Sequence, residues 1–352
     1  MYHAPLAPRI LVSPAAFGYI EPAFQSVQSF RVSMSDFFYN GAGRLRSGWR
    51  LSIFVVTLLC VTTVLFMGAE FAGVLLLPRA LYTFLFNGTP WFAVQSVLLF
   101  LPAAAIGWGC ALMLEELPWR SLGWGLHKDW VRDTLFGTLV GGVAVCVAGL
   151  AGLAAGSYRF SFAGAAGGGV PKTLVVSFVI FVLGAAAEEM IFRGYPLQTL
   201  MRSWPLWVAL LPATAPFALV HLANPNVAPG FTFVNTALAG VWLGVAYWRT
   251  RSLWFPLGLH FGWNWVQGAV LGSPVSGIKG ITPHPLLSFA DAGPAWLGGG
   301  AYGIEGGAVC TLALALATLF TWRTGLLKAD PELKRYTDGE NPNPQAPRVT
   351  PT

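Results

Sequence analysis

The chain has 352 residues, of which 55% are hydrophobic and only 10% are charged, whereas about a quarter of the residues in a soluble domain are charged. This composition excludes an ordinary water-soluble globular protein, and the 15 Trp and 25 Phe suit helices with aromatic residues near the membrane surfaces. The net charge of +6 does not indicate nucleic-acid binding, because the basic residues are scattered between apolar runs. We therefore predict an integral multi-pass membrane protein in a lipid bilayer, the cell membrane if the chain is bacterial.

Eight apolar stretches are long enough to cross a bilayer, which takes about 20 mostly apolar residues in a helix. They predict an all-α, polytopic bundle of about eight transmembrane helices. In chain order they are Trp49–Leu76, Trp91–Leu114, Thr134–Gly156, Thr173–Met201, Pro205–Leu222, Phe231–Trp248, Leu253–Leu271 and Gly303–Trp322. The fourth contains Pro196, which must kink that helix rather than end it if the prediction is right.

The positions of Lys and Arg predict the orientation of the bundle, since basic residues are enriched in cytoplasmic loops. Of 21 Lys and Arg residues, only Arg79, Arg159, Lys172 and Lys279 fall in the loops on the other side. We therefore expect both termini to be cytoplasmic.

The same pattern predicts three regions. Residues 1–48 form an N-terminal cytoplasmic tail, residues 49–327 form one membrane domain, and residues 328–352 form a polar, Pro-containing tail that we expect to be disordered. Between the second and third helices, residues 115–133 mix charges with Trp and Leu, which is typical of a stretch lying on the inner membrane face.

Three charged residues stand within the fourth stretch, in GAAAEEMIFRGYP: Glu188, Glu189 and Arg193. A charge at the bilayer centre costs about 2.5–3.5 kcal/mol by insertion scales. Glu189 and Arg193 are four residues apart and can pair on one helix face, which leaves Glu188 without a counter-charge. Such a carboxylate has a raised proton affinity, as a general acid or base requires. A structural ion-pair cluster that joins two helices is the alternative.

Further polar residues occur in the fifth and seventh stretches. His221 ends the fifth stretch, and His260 and Asn264 share one face of the seventh. With a rise of about 1.5 Å per residue, Glu188 and His221 fall at similar depths in the bilayer. A carboxylate, two imidazoles and an amide can hydrolyse an amide bond: Glu188 with His221 would activate water, and His260 with Asn264 would stabilise the oxyanion.

These residues resemble those of the CPBP family of intramembrane proteases, which includes the CAAX-processing endoproteases and the Abi bacteriocin-immunity proteins. The family pattern is E-E-x-x-x-R, F-x-x-x-H and H-x-x-x-N on three successive motif helices. It occurs here, in order, as Glu188-Glu189-x-x-x-Arg193, Phe217-x-x-x-His221 and His260-x-x-x-Asn264. No motif residue departs from the pattern.

The resemblance implies that residues 49–327 are a CPBP/Abi-type protease domain with its motif core at 173–271. It implies Glu188 as the water-activating carboxylate, His221 as its partner, His260 and Asn264 as oxyanion stabilisers, and Phe217 as a packing residue. Glu189 and Arg193 would support the site. The implied substrate is a peptide or a membrane protein, prenylated in the CAAX case, reaching the site from the membrane or the cytoplasmic side.

The family has been described both as zinc-dependent and as metal-free. Glu188, Glu189, His221 and His260 are the candidate zinc ligands. However, the chain has no HExxH motif, and Asn264 is a poor zinc ligand. We therefore expect that no cofactor is required.

Two other functions fit the composition. One is a non-proteolytic membrane scaffold or bacteriocin self-immunity protein, which would have no need of buried His and Glu. The other is a transporter with a proton relay, which would be expected to show an internal repeat. No second copy of the charged helix stands out in the sequence.

Overall fold

The computed structural model describes residues 34–41, 43–162, 169–227 and 230–338. It is an α-helical bundle, as the sequence predicts. Its α-helices, in chain order, are α1 (Met34–Phe38), α2 (Ser47–Leu76), α3 (Arg79–Asn87), α4 (Pro90–Glu115), α5 (Trp130–Ala154), α6 (Gly169–Glu189), α7 (Tyr195–Met201), α8 (Leu206–His221), α9 (Phe231–Thr250), α10 (Trp254–Trp265), α11 (Ala295–Gly298), α12 (Ala308–Arg323) and α13 (Pro331–Thr337).

Five helices are long and apolar enough to cross a membrane, which confirms the multi-pass prediction. They are α2, α4, α5, α9 and the continuous stretch Gly169–Met201. The three other predicted spans fall on shorter helices: α8 and α12 have 16 residues each, and α10 has 12 residues, extended by a π turn at Val266–Val270.

The helix with the paired glutamates continues past Pro196, as predicted. A π turn at Met190–Gly194 joins α6 to α7, and Pro196 lies at the start of α7. A π turn widens the helix where the proline removes a backbone donor. The chain therefore runs on to Met201 as one helical stretch of 33 residues.

The described ends of the chain lie at the same end of the bundle. Arg44 is 3.7 Å from Glu116 at the end of α4, and Arg120 is 3.0 Å from Glu332 in α13. We call this the basic end. The opposite end, called the loop end, consists of residues 77–89, 155–162, 222–227 and 271–307 and carries a two-stranded antiparallel sheet, β1 (Tyr158–Phe162) with β2 (Leu287–Asp291).

The prediction of disorder is wrong for the first part of the C-terminal tail. Pro331–Thr337 forms a helix, capped by the Asp330 side chain, which accepts from the backbone N–H groups of Glu332 and Leu333. Leu333 is 1% exposed, because it packs into the core at the basic end. Residues 339–352 lie outside the described residues, as do residues 1–33 of the predicted N-terminal tail.

Residues 115–133 are more deeply buried than the sequence predicts. Trp119 and Leu126 are exposed, but Leu122 and Trp124 are buried in the core. A 3-10 turn at Trp119–Leu122 turns these side chains inward, so the stretch closes the basic end of the bundle.

Helices α5 and α10 pack with their backbones almost in contact. A Cβ on Gly258 or Gly262 would lie 2.2 Å from a carbonyl oxygen of α5, and a Cβ on Gly141 would lie 2.1 Å from the Leu259 carbonyl oxygen. Small residues four apart allow such close approach in membrane helices. This contact fixes α10, the helix that carries His260.

A fully buried ionic cluster ties three helices together near the basic end. Glu115 Oε1 lies 2.5 Å from Arg50 Nη1 and 2.9 Å from Arg202 Nη1, and it accepts a hydrogen bond from Thr199 Oγ1 at 2.8 Å. The cluster joins the start of α2, the end of α4 and the end of α7. It therefore anchors the far end of the helix that carries the glutamates.

Candidate active site

The paired glutamates occupy two different environments. Glu189 is fully buried, and its Oε1 lies 3.2 Å from Arg193 Nη1 across one helical turn, which is the predicted pair. Arg193 also donates from Nη2 to the Gly240 carbonyl at 3.4 Å. The Glu188 side chain is 34% exposed and lines an internal cavity. Glu188 is thus the carboxylate available to a bound molecule.

His260 lies between the two carboxylates. Its Nδ1 is 2.9 Å from Glu189 Oε1, and its Nε2 is 3.6 Å from Glu188 Oε2. From the sequence, His221 was the expected partner of Glu188. The histidine within ion-pair distance of Glu188 is His260, because the close contact between α5 and α10 holds α10 beside the end of α6.

Phe217 and His221 form the third side of the site. His221 Nδ1 lies 2.7 Å from the Phe217 carbonyl oxygen, which can only accept, so Nδ1 carries a hydrogen. The Phe217 ring packs against His221 at 4.6 Å between ring centroids, and the Arg193 guanidinium lies 4.5 Å from its centroid. Phe217 therefore packs between His221 and Arg193.

A cavity of about 390 Å³ brings most of the predicted residues together. Glu188, Phe217, His221, His260 and Asn264 all line it. Glu189 and Arg193 do not; they lie behind His260. The three sequence motifs thus converge on one internal space, and the residues that the sequence placed in a supporting role are separated from it.

The cavity extends from mid-bundle towards the loop end. Its wall includes Phe92 and Ser96 in the first half of α4, Asn224 after α8, and Ser276 and Glu305 in the long loop segment. None of the lining residues comes from the basic end. A molecule would therefore enter from the loop end or between helices, and the expectation of access from the cytoplasmic side conflicts with the predicted orientation.

Glu305 is a cavity residue that the sequence analysis missed. Its Oε1 accepts a hydrogen bond from Trp263 Nε1 at 3.0 Å, and its Oε2 accepts from the Ser276 backbone N–H at 2.5 Å and from Ser276 Oγ at 2.9 Å. A signal was available, since Glu305 is an acidic residue in a glycine-rich segment directly before an apolar helix.

Three of the four candidate zinc ligands already have partners for one of their donor atoms. Glu189 Oε1 and His260 Nδ1 are directed at each other, and Arg193 occupies the same oxygen. His221 Nδ1 is taken by the Phe217 carbonyl. Across the described parts of the chain, no three His, Cys, Asp or Glu side chains are grouped to hold a metal ion.

Comparison with known proteins identifies one domain. Residues 169–266 match the family model described as type II CAAX prenyl endopeptidase Rce1-like. This segment contains all three motifs and supports the resemblance to the CPBP and CAAX proteases. No curated protein and no solved structure matches the chain.

Proposed function

We propose that this chain, which carries an Rce1-like CAAX endopeptidase domain, is an intramembrane endopeptidase that hydrolyses a peptide bond of a membrane-associated substrate. One observation supports this most strongly. His260 lies between the buried Glu189 and the cavity-lining Glu188, so a carboxylate and an imidazole face one cavity.

Glu188 acts as the general base in this proposal. Its side chain is one-third exposed and lines the cavity, so the carboxylate can accept a hydrogen bond from water there. Glu188 takes a proton from that water while the water oxygen attacks the peptide carbonyl carbon. His221, which lines the same cavity, orients this water through Nε2.

His260 and Asn264 stabilise the oxyanion. They are one turn apart on α10 and both line the cavity. The Asn264 amide can donate to the developing negative charge on the carbonyl oxygen, and so can His260 Nε2 when both ring nitrogens carry hydrogen. When the tetrahedral intermediate collapses, the C–N bond breaks and the proton held by Glu188 passes to the leaving amine nitrogen. The base is then restored for another turnover.

Glu189 and Arg193 are positioning residues. Glu189 accepts from His260 Nδ1–H, which directs Nε2 towards the cavity, as a buried carboxylate does for a catalytic histidine. Arg193 supplies a buried positive charge 3.2 Å from Glu189 Oε1. Neither residue lines the cavity.

The substrate would be a peptide segment that enters through the membrane or the loop end. The cavity wall from α4 and α6 is mostly apolar, including Phe92, Leu99, Ile180 and Phe181, which suits apolar side chains or a lipid-modified residue. A prenylated CAAX peptide is the first substrate to test, because CAAX processing is the activity in the name of the matched family.

The test compares wild type, Glu188→Ala and His221→Ala, purified in detergent, on a quenched farnesylated CAAX peptide with and without a chelator. Cleavage by wild type that both substitutions abolish supports the proposal, and cleavage that resists chelator supports a metal-free reaction. If no peptide is cleaved and Glu188→Ala leaves function in cells intact, a non-proteolytic scaffold or immunity protein replaces the protease.

A further inference from the structure

The cavity contains a second carboxylate that the proposed reaction does not use. Glu305 lies in the 3-10 turn Ile304–Gly306, just before α12. It lies outside the segment 169–266 that matches the family model. Any role of Glu305 is therefore a property of this chain and not of the matched domain.

Every hydrogen-bond partner of the Glu305 carboxylate within the described residues is neutral. Its hydrogen bonds come from the Trp263 indole, the Ser276 backbone N–H and the Ser276 hydroxyl. No Lys, Arg or His side chain in the described part of the chain lies within ion-pair distance of it. Neutral donors hold the carboxylate in place but leave its negative charge uncompensated beside an apolar cavity, where an opposite charge is strongly attracted.

The surroundings of Glu305 are polar. Asn224, Thr236 and Ser276 line this end of the cavity. The Tyr302 hydroxyl is buried beside these three residues. Burial, followed by the charge of Glu305, raises the pKa of Tyr302 above its ordinary value, so the hydroxyl stays protonated and neutral.

Glu305 is also linked to the proposed catalytic helix. Its partner Trp263 precedes Asn264 on α10 and is three residues from His260, and all three residues line the same cavity. A single extended peptide can therefore reach the Glu188 site with one residue and the Glu305 end with another.

We propose that the end of the cavity formed by Glu305, Ser276, Asn224 and Thr236 binds the cationic side chain of a Lys or Arg in the peptide substrate. We call these four residues the acidic subsite. The proposal rests on the proposed protease function and adds to it the substrate class: a peptide with a basic residue near the cleaved bond. A cation here would complete a charge-assisted hydrogen bond to a fixed carboxylate.

A purely structural role for Glu305 makes a different prediction. Its hydrogen bonds join the long loop segment to α10, so losing them would lower stability. It would not, however, alter the choice between a charged and a neutral side chain of similar length. The ratio of affinities for two such peptides therefore separates the two roles.

The probe is a labelled short Ala/Leu peptide in which one Lys is scanned through each position, paired with the same peptide carrying norleucine. Binding is measured by fluorescence anisotropy in the Glu188→Ala background, which prevents turnover, with and without Glu305→Gln. Asp291→Asn is the matched control, because it removes the same charge at the loop end but does not line this cavity.

At one position the Lys peptide should bind tighter than its norleucine partner by about tenfold or more, as one hydrogen bond to a charged group would give. Glu305→Gln should remove this preference for the Lys peptide and leave the affinity for the norleucine peptide unchanged. Asp291→Asn should leave the preference unchanged. Equal binding of both peptides at every position, or a ratio that survives Glu305→Gln, would overturn the acidic subsite.

Cleavage by the enzyme with Glu188 intact is measured separately on the same peptides. A Lys preference in binding without any cleavage would leave the acidic subsite standing and count against the protease. Cleavage without a Lys preference would support the protease and count against the acidic subsite. The failure of one proposal can therefore be told from the failure of the other.

Discussion

Glu189 Oε1 is shared by two cationic or donor groups: it lies 3.2 Å from Arg193 Nη1 and 2.9 Å from His260 Nδ1. This one oxygen links Arg193, one turn further along the helix that carries Glu189, to His260 on α10. A buried carboxylate with two such partners fixes the orientation of the imidazole between them. Glu189 therefore decides where His260 Nε2 can act, although it does not face the cavity.

Replacing Glu189 by Gln should lower both stability and activity. It leaves the fully buried Arg193 without a counter-charge, and breaking a buried pair in this way typically costs about 3–5 kcal/mol. Thermal unfolding in detergent measures the loss. The double variant Glu189→Gln/Arg193→Met should recover part of it, and an unchanged unfolding temperature in the single variant would contradict this role.

Replacing Glu188 by Gln should affect catalysis alone. Its side chain is one-third exposed to the cavity and has no cationic partner at the distance of a direct hydrogen bond, so the fold does not depend on its charge. We expect hydrolysis to fall by about 10²–10⁴-fold, the usual contribution of a general base, with the unfolding temperature nearly unchanged. Retained hydrolysis would exclude Glu188 as the base.

Glu115 and its neighbour Glu116 offer a matched pair of substitutions. Glu115 is fully buried against Arg50 and Arg202, so Glu115→Gln should destabilise the bundle by about 3–5 kcal/mol. The Glu116 side chain is 69% exposed and 3.7 Å from Arg44, so Glu116→Gln should leave the unfolding temperature unchanged. Similar effects of the two would argue against the buried cluster as an anchor.

The glycine contact between α5 and α10 should not tolerate a methyl group. A Cβ on Gly262 would lie 2.2 Å from the Thr138 carbonyl oxygen, so Gly262→Ala must push α10 away and displace His260. Overpacking of this kind costs about 1–3 kcal/mol. Unfolding temperature and peptide hydrolysis should both fall.

Gly109 is the control for that substitution. It lies on α4, and a Cβ there would meet nothing within 4 Å. Gly109→Ala should therefore leave both measurements unchanged. Normal hydrolysis by Gly262→Ala would show that the backbone contact does not set the position of His260.

The predicted orientation places the open end of the cavity away from the cytoplasm. In a variant whose native cysteines are replaced by Ala, Lys279→Cys at the loop end should react with a membrane-impermeant maleimide added to intact cells. Lys328→Cys at the basic end should react only after the cells are opened. The opposite pattern would invert the bundle and give the cavity cytoplasmic access.

The amino-acid sequence by itself determined the membrane environment and the residue types of the site. Exposed apolar runs of this length are stable only in a bilayer, and there a helix provides hydrogen bonds for its own backbone groups. The charges of Glu188, Glu189 and Arg193 inside such a run predict a functional helix. The Glu189–Arg193 pair follows from helical spacing alone.

Only the tertiary structure decided which side chains meet. Local spacing cannot show that α10 packs with its backbone against α5, and this contact brings His260 rather than His221 beside Glu188. The packing of Pro331–Thr337, the burial of Leu122 and the position of Glu305 in the cavity likewise depend on segments far apart in the chain. Contacts between segments far apart in the chain produce no repeating pattern in the sequence of either segment, so the sequence alone does not predict them.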